Sequence, residues 1–122
     1  MYQKKIKTEL RCPLEAGVSY FCGKWKVRLL FLFSHGDNLR YGEIKQKLVD
    51  VTDAALSTAL KELLSDGLLT RTAYEQVPPR VEYSLTEMGR DAIPLLRSLC
   101  DWAEKYRPSD VPACREDCGA RL

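Results

Sequence analysis

Apolar residues recur at helical spacing along most of the chain and alternate clearly in one short stretch. Cys12-Pro13-Leu14-Glu15 reads as a helix start, with proline at the first helical position and Glu15 where a capping-box glutamate sits. Gly17 weakens this helix and Gly23 ends it. A second helix spans about Lys24 to Phe33, with Trp25, Leu29, Leu32 and Phe33 on one face, and Ser34-His35-Gly36-Asp37-Asn38 stops it. Leu39 to Leu48 predicts a third helix that turns Ile44 and Leu48 inward, and Asp50-Val51-Thr52-Asp53 is the break after it. The clearest element follows. Leu56, Ala59, Leu60, Leu63 and Leu64 form one face, Thr52 or Asp53 is the N-cap, and Gly67 is the left-handed stop.

The period then changes. Leu68 to Tyr74 and Arg80 to Leu85 read as two strands, the second alternating Val81, Tyr83 and Leu85 with Glu82 and Ser84. Between them, Glu75-Gln76-Val77-Pro78-Pro79 is a connection stiffened by two prolines. A last helix starts near Thr86, capped with the help of Glu87, and runs to about Tyr106. Pro94 kinks rather than ends it, since Leu95, Leu96, Leu99, Trp102 and Ala103 continue the pattern, and Pro108 stops it. The expected architecture is mainly α with a small β-hairpin, a winged helix-turn-helix. Residues 1–10 form a flexible basic arm, 11–107 the domain, and 108–122 a disordered tail.

At 122 residues the chain suits one domain, and its 45% apolar and 30% charged content is ordinary for a soluble protein. No apolar run is long enough to span a bilayer and no signal core follows the basic start, so a cytoplasmic location is expected. The net charge of +2 is small, but its distribution is uneven. Lys24, Lys26, Arg28, Arg40, Lys45 and Lys47 face only Asp37 and Glu43 in the same stretch, which makes one end of the molecule cationic.

Two helices joined by a tight break and followed by a hairpin suggest DNA recognition. A helix of about 13 residues is about 20 Å long, enough to lie in a major groove. Its outward face carries Asp53, Ala54, Ser57, Thr58, Lys61 and Glu62. Small and hydroxylated side chains allow close approach to base edges, and Lys61 reaches phosphate. The hairpin becomes the wing, with Pro79 and Arg80 at its end and Arg80 suited to the minor groove or to phosphate. Arg40 and Lys45 complete the expected backbone contacts.

The runs Cys12-Pro13-Leu14-Glu15, Gly23-Lys24-Trp25, Arg40-Tyr41-Gly42-Glu43-Ile44, Leu60-Lys61-Glu62-Leu63, Asp66-Gly67-Leu68 and Pro78-Pro79-Arg80-Val81-Glu82-Tyr83-Ser84-Leu85-Thr86 resemble the HxlR-type regulators over about residues 11–106. The resemblance implies a MarR-related winged helix that binds double-stranded DNA as a homodimer on an inverted repeat. Such regulators often repress and sometimes activate. In several of them an N-terminal cysteine senses electrophiles or oxidants. Tyr41 stands where phenylalanine is more usual, which keeps the aromatic plug. Cys114 and Cys118 fall outside the family pattern.

The last helix is apolar on more than one stripe. Leu96, Leu99 and Ala103 are expected to face the core, leaving Ile93, Cys100 and Trp102 for a second surface. Ile93, Leu96, Leu99, Cys100 and Trp102 are the candidate dimer residues, with the first helix beside them. Five cysteines make an odd set with no export signal, so free, metal-binding or redox-active thiols are expected rather than a disulfide framework. Cys12, at a helix N-terminus beside Arg11, is the candidate sensor for a small-molecule electrophile or oxidant. Cys22 and Cys100 read as small buried hydrophobes. Cys114 and Cys118 are too few for a zinc site and His35 is distant, so no metal and no cofactor is expected. Two other functions stay open: a winged helix that binds protein, and a cysteine-dependent enzyme. The enzyme would have only His35 as a histidine base, with neither a Cys-x-x-Cys pair nor a phosphate-binding glycine loop.

Overall fold

A computed structural model describes residues 12–36 and 38–112. Among these, five helices and two strands follow in the order α1 (Pro13–Ser19), α2 (Lys26–Leu32), α3 (Tyr41–Lys47), α4 (Asp53–Ser65), β1 (Leu69–Tyr74), β2 (Arg80–Leu85) and α5 (Glu87–Lys105). The expected basic arm, Arg11, Asp37, Cys114 and Cys118 lie outside the described residues. Residues 108–112 of the expected tail form an exposed local turn, where Arg107 Nη1 donates to the Val111 carbonyl at 2.8 Å.

Leu29, Leu30 and Phe33 of α2, Ile44 and Leu48 around α3, and Leu56, Leu60 and Leu63 of α4 close a common core. Leu68, Leu85, Ala92, Ile93 and Leu96 complete it from the hairpin base and α5. α4 is held at both ends by its own sequence. Thr52 Oγ1 accepts from the Ala55 N–H at 3.1 Å. At the other end Gly67 adopts φ +85°, and the Leu68 N–H reaches the Leu63 carbonyl at 3.0 Å in a Schellman closure.

Three expectations fail in instructive ways. Leu39 is not helical: it exchanges backbone hydrogen bonds with Tyr83 at 2.9 and 2.8 Å and flanks β2 as a bridge strand. α3 accordingly begins at Tyr41, where the Glu43 carboxylate accepts from the Arg40 N–H at 2.8 Å. Glu82, on the polar side of the alternation that implied an exposed face, is buried, because Arg80 and Asn38 cover that face of β2 and supply hydrogen bonds there. In α5, Ile93 is buried, whereas Leu99 and Ala103, expected in the core, are exposed. The buried residues of α5 end at Leu96, so its last turns have no core to face. Pro94 does not interrupt this helix.

The start of α5 is fixed to the exit of α4. Thr86 Oγ1 donates to the Gly67 carbonyl and accepts from the Gly89 N–H, while the Thr86 N–H donates to the Leu68 carbonyl at 3.1 Å. A Cβ on Gly89 would lie 2.2 Å from the Leu68 carbonyl oxygen, so glycine is required for this approach. No helix among the described residues is long and apolar enough to cross a membrane.

Candidate nucleic-acid interface

α4 presents an exposed stripe of Ala54, Thr58, Lys61 and Ser65, at the i, i+4, i+7 and i+11 positions of one helix face. Ser65 belongs to this stripe although sequence reasoning ended the reading surface at Glu62. The other expected reading residues divide to either side. Asp53 and Ser57 turn toward α3, while Glu62 turns toward α2. There Glu62 meets Lys26 Nζ at 3.1 Å, with Asp66 Oδ2 at 4.0 Å from the same nitrogen. Lys26 was counted in the cationic stretch, but its side chain is buried and its charge is spent seating α4 on α2.

On the α3 side, Asp53 Oδ1 accepts from Tyr41 Oη and from Lys45 Nζ, both at 2.7 Å. These bonds link the first residue of α4 to two turns of α3 and fix the angle of the helix-turn-helix. Hydrogen bonding from Lys45, then from Tyr41, holds the Asp53 carboxyl below the usual carboxylate range. The same contact with Asp53 raises the Lys45 ammonium and the Tyr41 phenol above their ordinary values. Lys45 and Asp53 are therefore paired within the free protein. Arg40, beside them, is exposed. The turn between α3 and α4 contains Val49 at φ +35°, an unfavourable conformation for a β-branched residue.

The wing stands out from the body. All of β1 after Leu69 is exposed, and the register runs from Leu69 opposite Leu85 to Tyr74 opposite Arg80. Pro79 is exposed in the connection. Arg80 does not point freely from the end. Its Nε donates to Glu82 Oε2 at 2.7 Å, Nη2 contacts the same oxygen, and the guanidinium lies 5.6 Å from the Tyr74 ring centroid. Asn38 Nδ2 donates to the other Glu82 oxygen at 3.3 Å, which ties the loop before α3 to the wing. Arg80 lowers the Glu82 carboxyl pKa, overcoming the upward effect of burial.

Among the candidate dimer residues, Ile93 and Leu96 lie in the domain core, Cys100 is half-buried, and Leu99 and Trp102 are exposed. The exposed stripe of α5 is Leu95, Leu99, Trp102 and Tyr106, which are 59%, 53%, 65% and 64% accessible. Trp102 and Tyr106 lie with ring centroids 6.0 Å apart. Leu14 and Val18 on α1 are exposed one turn apart. Cys12 is exposed at the start of α1. Cys22, expected to be buried, is also exposed, with its Sγ 3.5 Å from the Val18 carbonyl. The described residues contain no cluster of side chains suited to a metal ion.

The HxlR-like helix-turn-helix family matches residues 20–111. An HTH-type transcriptional regulator of Halalkalibacterium halodurans is 39% identical over 104 residues, covering 85% of this chain and 92% of the relative. One from Methanothermobacter thermautotrophicus is 43% identical, covering 80% and 74%. Among solved structures, the HTH-type regulator YtcD superposes with a TM-score of 0.72 at 35% identity, covering 79% of this chain and 97% of that one. The redox regulator HypR in its reduced form superposes with a TM-score of 0.70 at 38% identity, covering 79% and 94%. These relatives are transcriptional regulators rather than enzymes. With the matched region spanning α2 to α5, the chain belongs to the HxlR-like helix-turn-helix family of transcriptional regulators.

Proposed function

We propose that this regulator works in the cytoplasm as a homodimer that binds an inverted-repeat operator, with α4 in the major groove and the hairpin against the flanking backbone. The observation that carries this reading is the Ala54–Thr58–Lys61–Ser65 stripe. It is exposed and free of large apolar side chains, and it is braced on one side by Asp53 with Tyr41 and Lys45 and on the other by Lys26 with Glu62. Ala54, Thr58 and Ser65 allow close approach to base edges, Ser57 and Asp53 lie at its margin, and Lys61 reaches phosphate. Arg40 and Lys45 approach the backbone beside α3. Pro79 stiffens the wing, and Arg80 presents one edge of its guanidinium while Glu82 holds the other.

Pairing of the Leu95–Leu99–Trp102–Tyr106 stripes about a two-fold axis, with Leu14 and Val18 alongside, sets two α4 helices one turn of DNA apart, about 34–36 Å. Ile93 and Leu96 support this stripe from beneath, with Cys100 at its margin. Selection of bound sequences from random duplex tests the reading. Recovery of a palindromic site, with affinity falling steeply as salt rises, is the expected result. A protein that enriches no sequence and shows no salt dependence is instead a protein-binding winged helix.

The exposure of Cys12 supports a thiol response to electrophiles or oxidants, in keeping with the similarity to the redox regulator HypR. Alkylation of the Cys12 sulfur by iodoacetamide, with the thiol proton lost to solvent and iodide leaving the reagent, is expected to weaken operator binding in the wild type and not in Cys12→Ser. Equal loss in both proteins eliminates Cys12 as the sensor.

A further inference from the structure

Beside the reading stripe lies a groove of about 510 Å³ between the start of α2 and the first half of α4. Its α4 wall includes Ala54 and Thr58, which also belong to the exposed stripe, and its opposite wall is Lys24 and Trp25. Two cations converge on the Trp25 ring. Lys24 Nζ lies 5.5 Å from the ring centroid and Arg28 Cζ lies 5.1 Å from it, and both residues are exposed. Lys26, between them in sequence, also lines the groove but is buried in its pair with Glu62, so the exposed charge of this edge belongs to Lys24 and Arg28.

We propose that Lys24 and Arg28, steadied on Trp25, form a phosphodiester-binding edge that grips the DNA backbone flanking the groove entered by α4. The inference rests on the DNA-binding reading and adds a contact to it. A strand of DNA running past Ala54 and Thr58 has its next polar surface at this edge. Stacking on the indole restrains two long side chains before binding, which lowers the entropy lost when they meet phosphate. Lys24 supplies a point charge and Arg28 a planar fork, and both suit a phosphate oxygen without reading base identity.

The test is a salt titration of duplex binding with the full chain, using a duplex selected by the wild type and an unrelated duplex. Lys24→Gln with Arg28→Gln keeps the stems over Trp25 and removes both charges. Each lost phosphate contact makes the slope of log affinity against log salt shallower by about 0.9, so with two charges removed from each protomer of the bound dimer a change of about 3.6 is expected on both duplexes. The preference between the duplexes stays constant. Arg28→Lys retains the wild-type slope, as does Arg107→Gln, a charge loss beyond the end of α5. Thermal unfolding of each variant verifies that the fold persists. An unchanged slope in the folded double variant overturns the contact, as does a loss confined to the selected duplex. A wild type that binds neither duplex refutes the DNA-binding reading and this contact with it, a result distinct from an unchanged slope.

Discussion

α4 and α5 both bury one face and expose another, yet their exposed stripes have opposite chemistry. Ala54, Thr58, Lys61 and Ser65 leave α4 with a low, polar surface, whereas Leu95, Leu99, Trp102 and Tyr106 give α5 a tall, apolar one. The underlying helices are otherwise alike: each has a threonine N-cap whose hydroxyl accepts from a backbone N–H of the first turn. The difference teaches that helical periodicity identifies which residues avoid water in the monomer, while side-chain height on the remaining face distinguishes the partner. A groove in DNA admits short polar side chains, and a second protein surface rewards large apolar ones.

The most damaging change strikes the joint that both helices share. Gly89→Val forces its side chain into the Leu68 carbonyl and Leu85, and a loss of more than about 3 kcal/mol is expected in denaturant unfolding. Next is the seat of α4 alone. Lys26→Met leaves Glu62 without its partner and is expected to cost about 3 kcal/mol. If α4 is seated chiefly by apolar packing, the loss will be below about 1 kcal/mol. Changing the surface of α5 alone gives a different signature. Leu99→Glu with Trp102→Glu is expected to yield a folded monomer by sedimentation, with operator affinity reduced about 100-fold through lost bivalency. A variant that stays dimeric would remove the distinction between the two stripes.

Smaller effects sharpen the comparison at the entry to α4. Val49→Gly relieves the positive φ in the turn and is expected to raise stability by about 1 kcal/mol, read as a higher unfolding midpoint. The least effect comes from pH. Asp53 titrates lower when folded than when unfolded, so its contribution is fully present above the unfolded carboxylate pKa of about 3.9. It is lost as pH falls through the lower folded value. Asp53→Asn should therefore flatten the acid limb of the stability profile, and an identical limb in wild type and variant would show that the link to Lys45 and Tyr41 contributes nothing there.

Much of this fold was legible because its signals are local. Thr52 and Gly67 bound α4 as expected, the apolar face from Leu56 to Leu63 is buried, and β2 occupies the stretch read as a strand. What failed depends on distant parts of the chain. Leu39 has an apolar side chain suited to a helix, but its backbone finds Tyr83, far away in sequence. Glu82 follows the alternation of β2, yet Arg80 and Asn38 cover the face it points from. The phase of α5 was misread for a related reason: a helical wheel does not reveal where the neighbouring core ends, and here burial stops at Leu96. On α4, the exposure of Ala54, Thr58 and Lys61 was legible from spacing. The pairings that restrain Asp53, Lys45 and Arg80 were not, because each joins residues whose approach depends on the tertiary fold or on side-chain rotamer.

The close fit at Gly89 has a mechanical consequence. Because the root of α5 is bound through Thr86 and Leu68 to the end of α4, the long helix acts as an arm clamped at one end beside the wing. Beyond Leu96, where its burial ends, the arm runs about 14 Å to Lys105, so a tilt of about 10° moves its free end by about 2 Å. In the proposed dimer, a small slip where two such arms cross becomes a change of heading at the clamped end, beside the exit of α4.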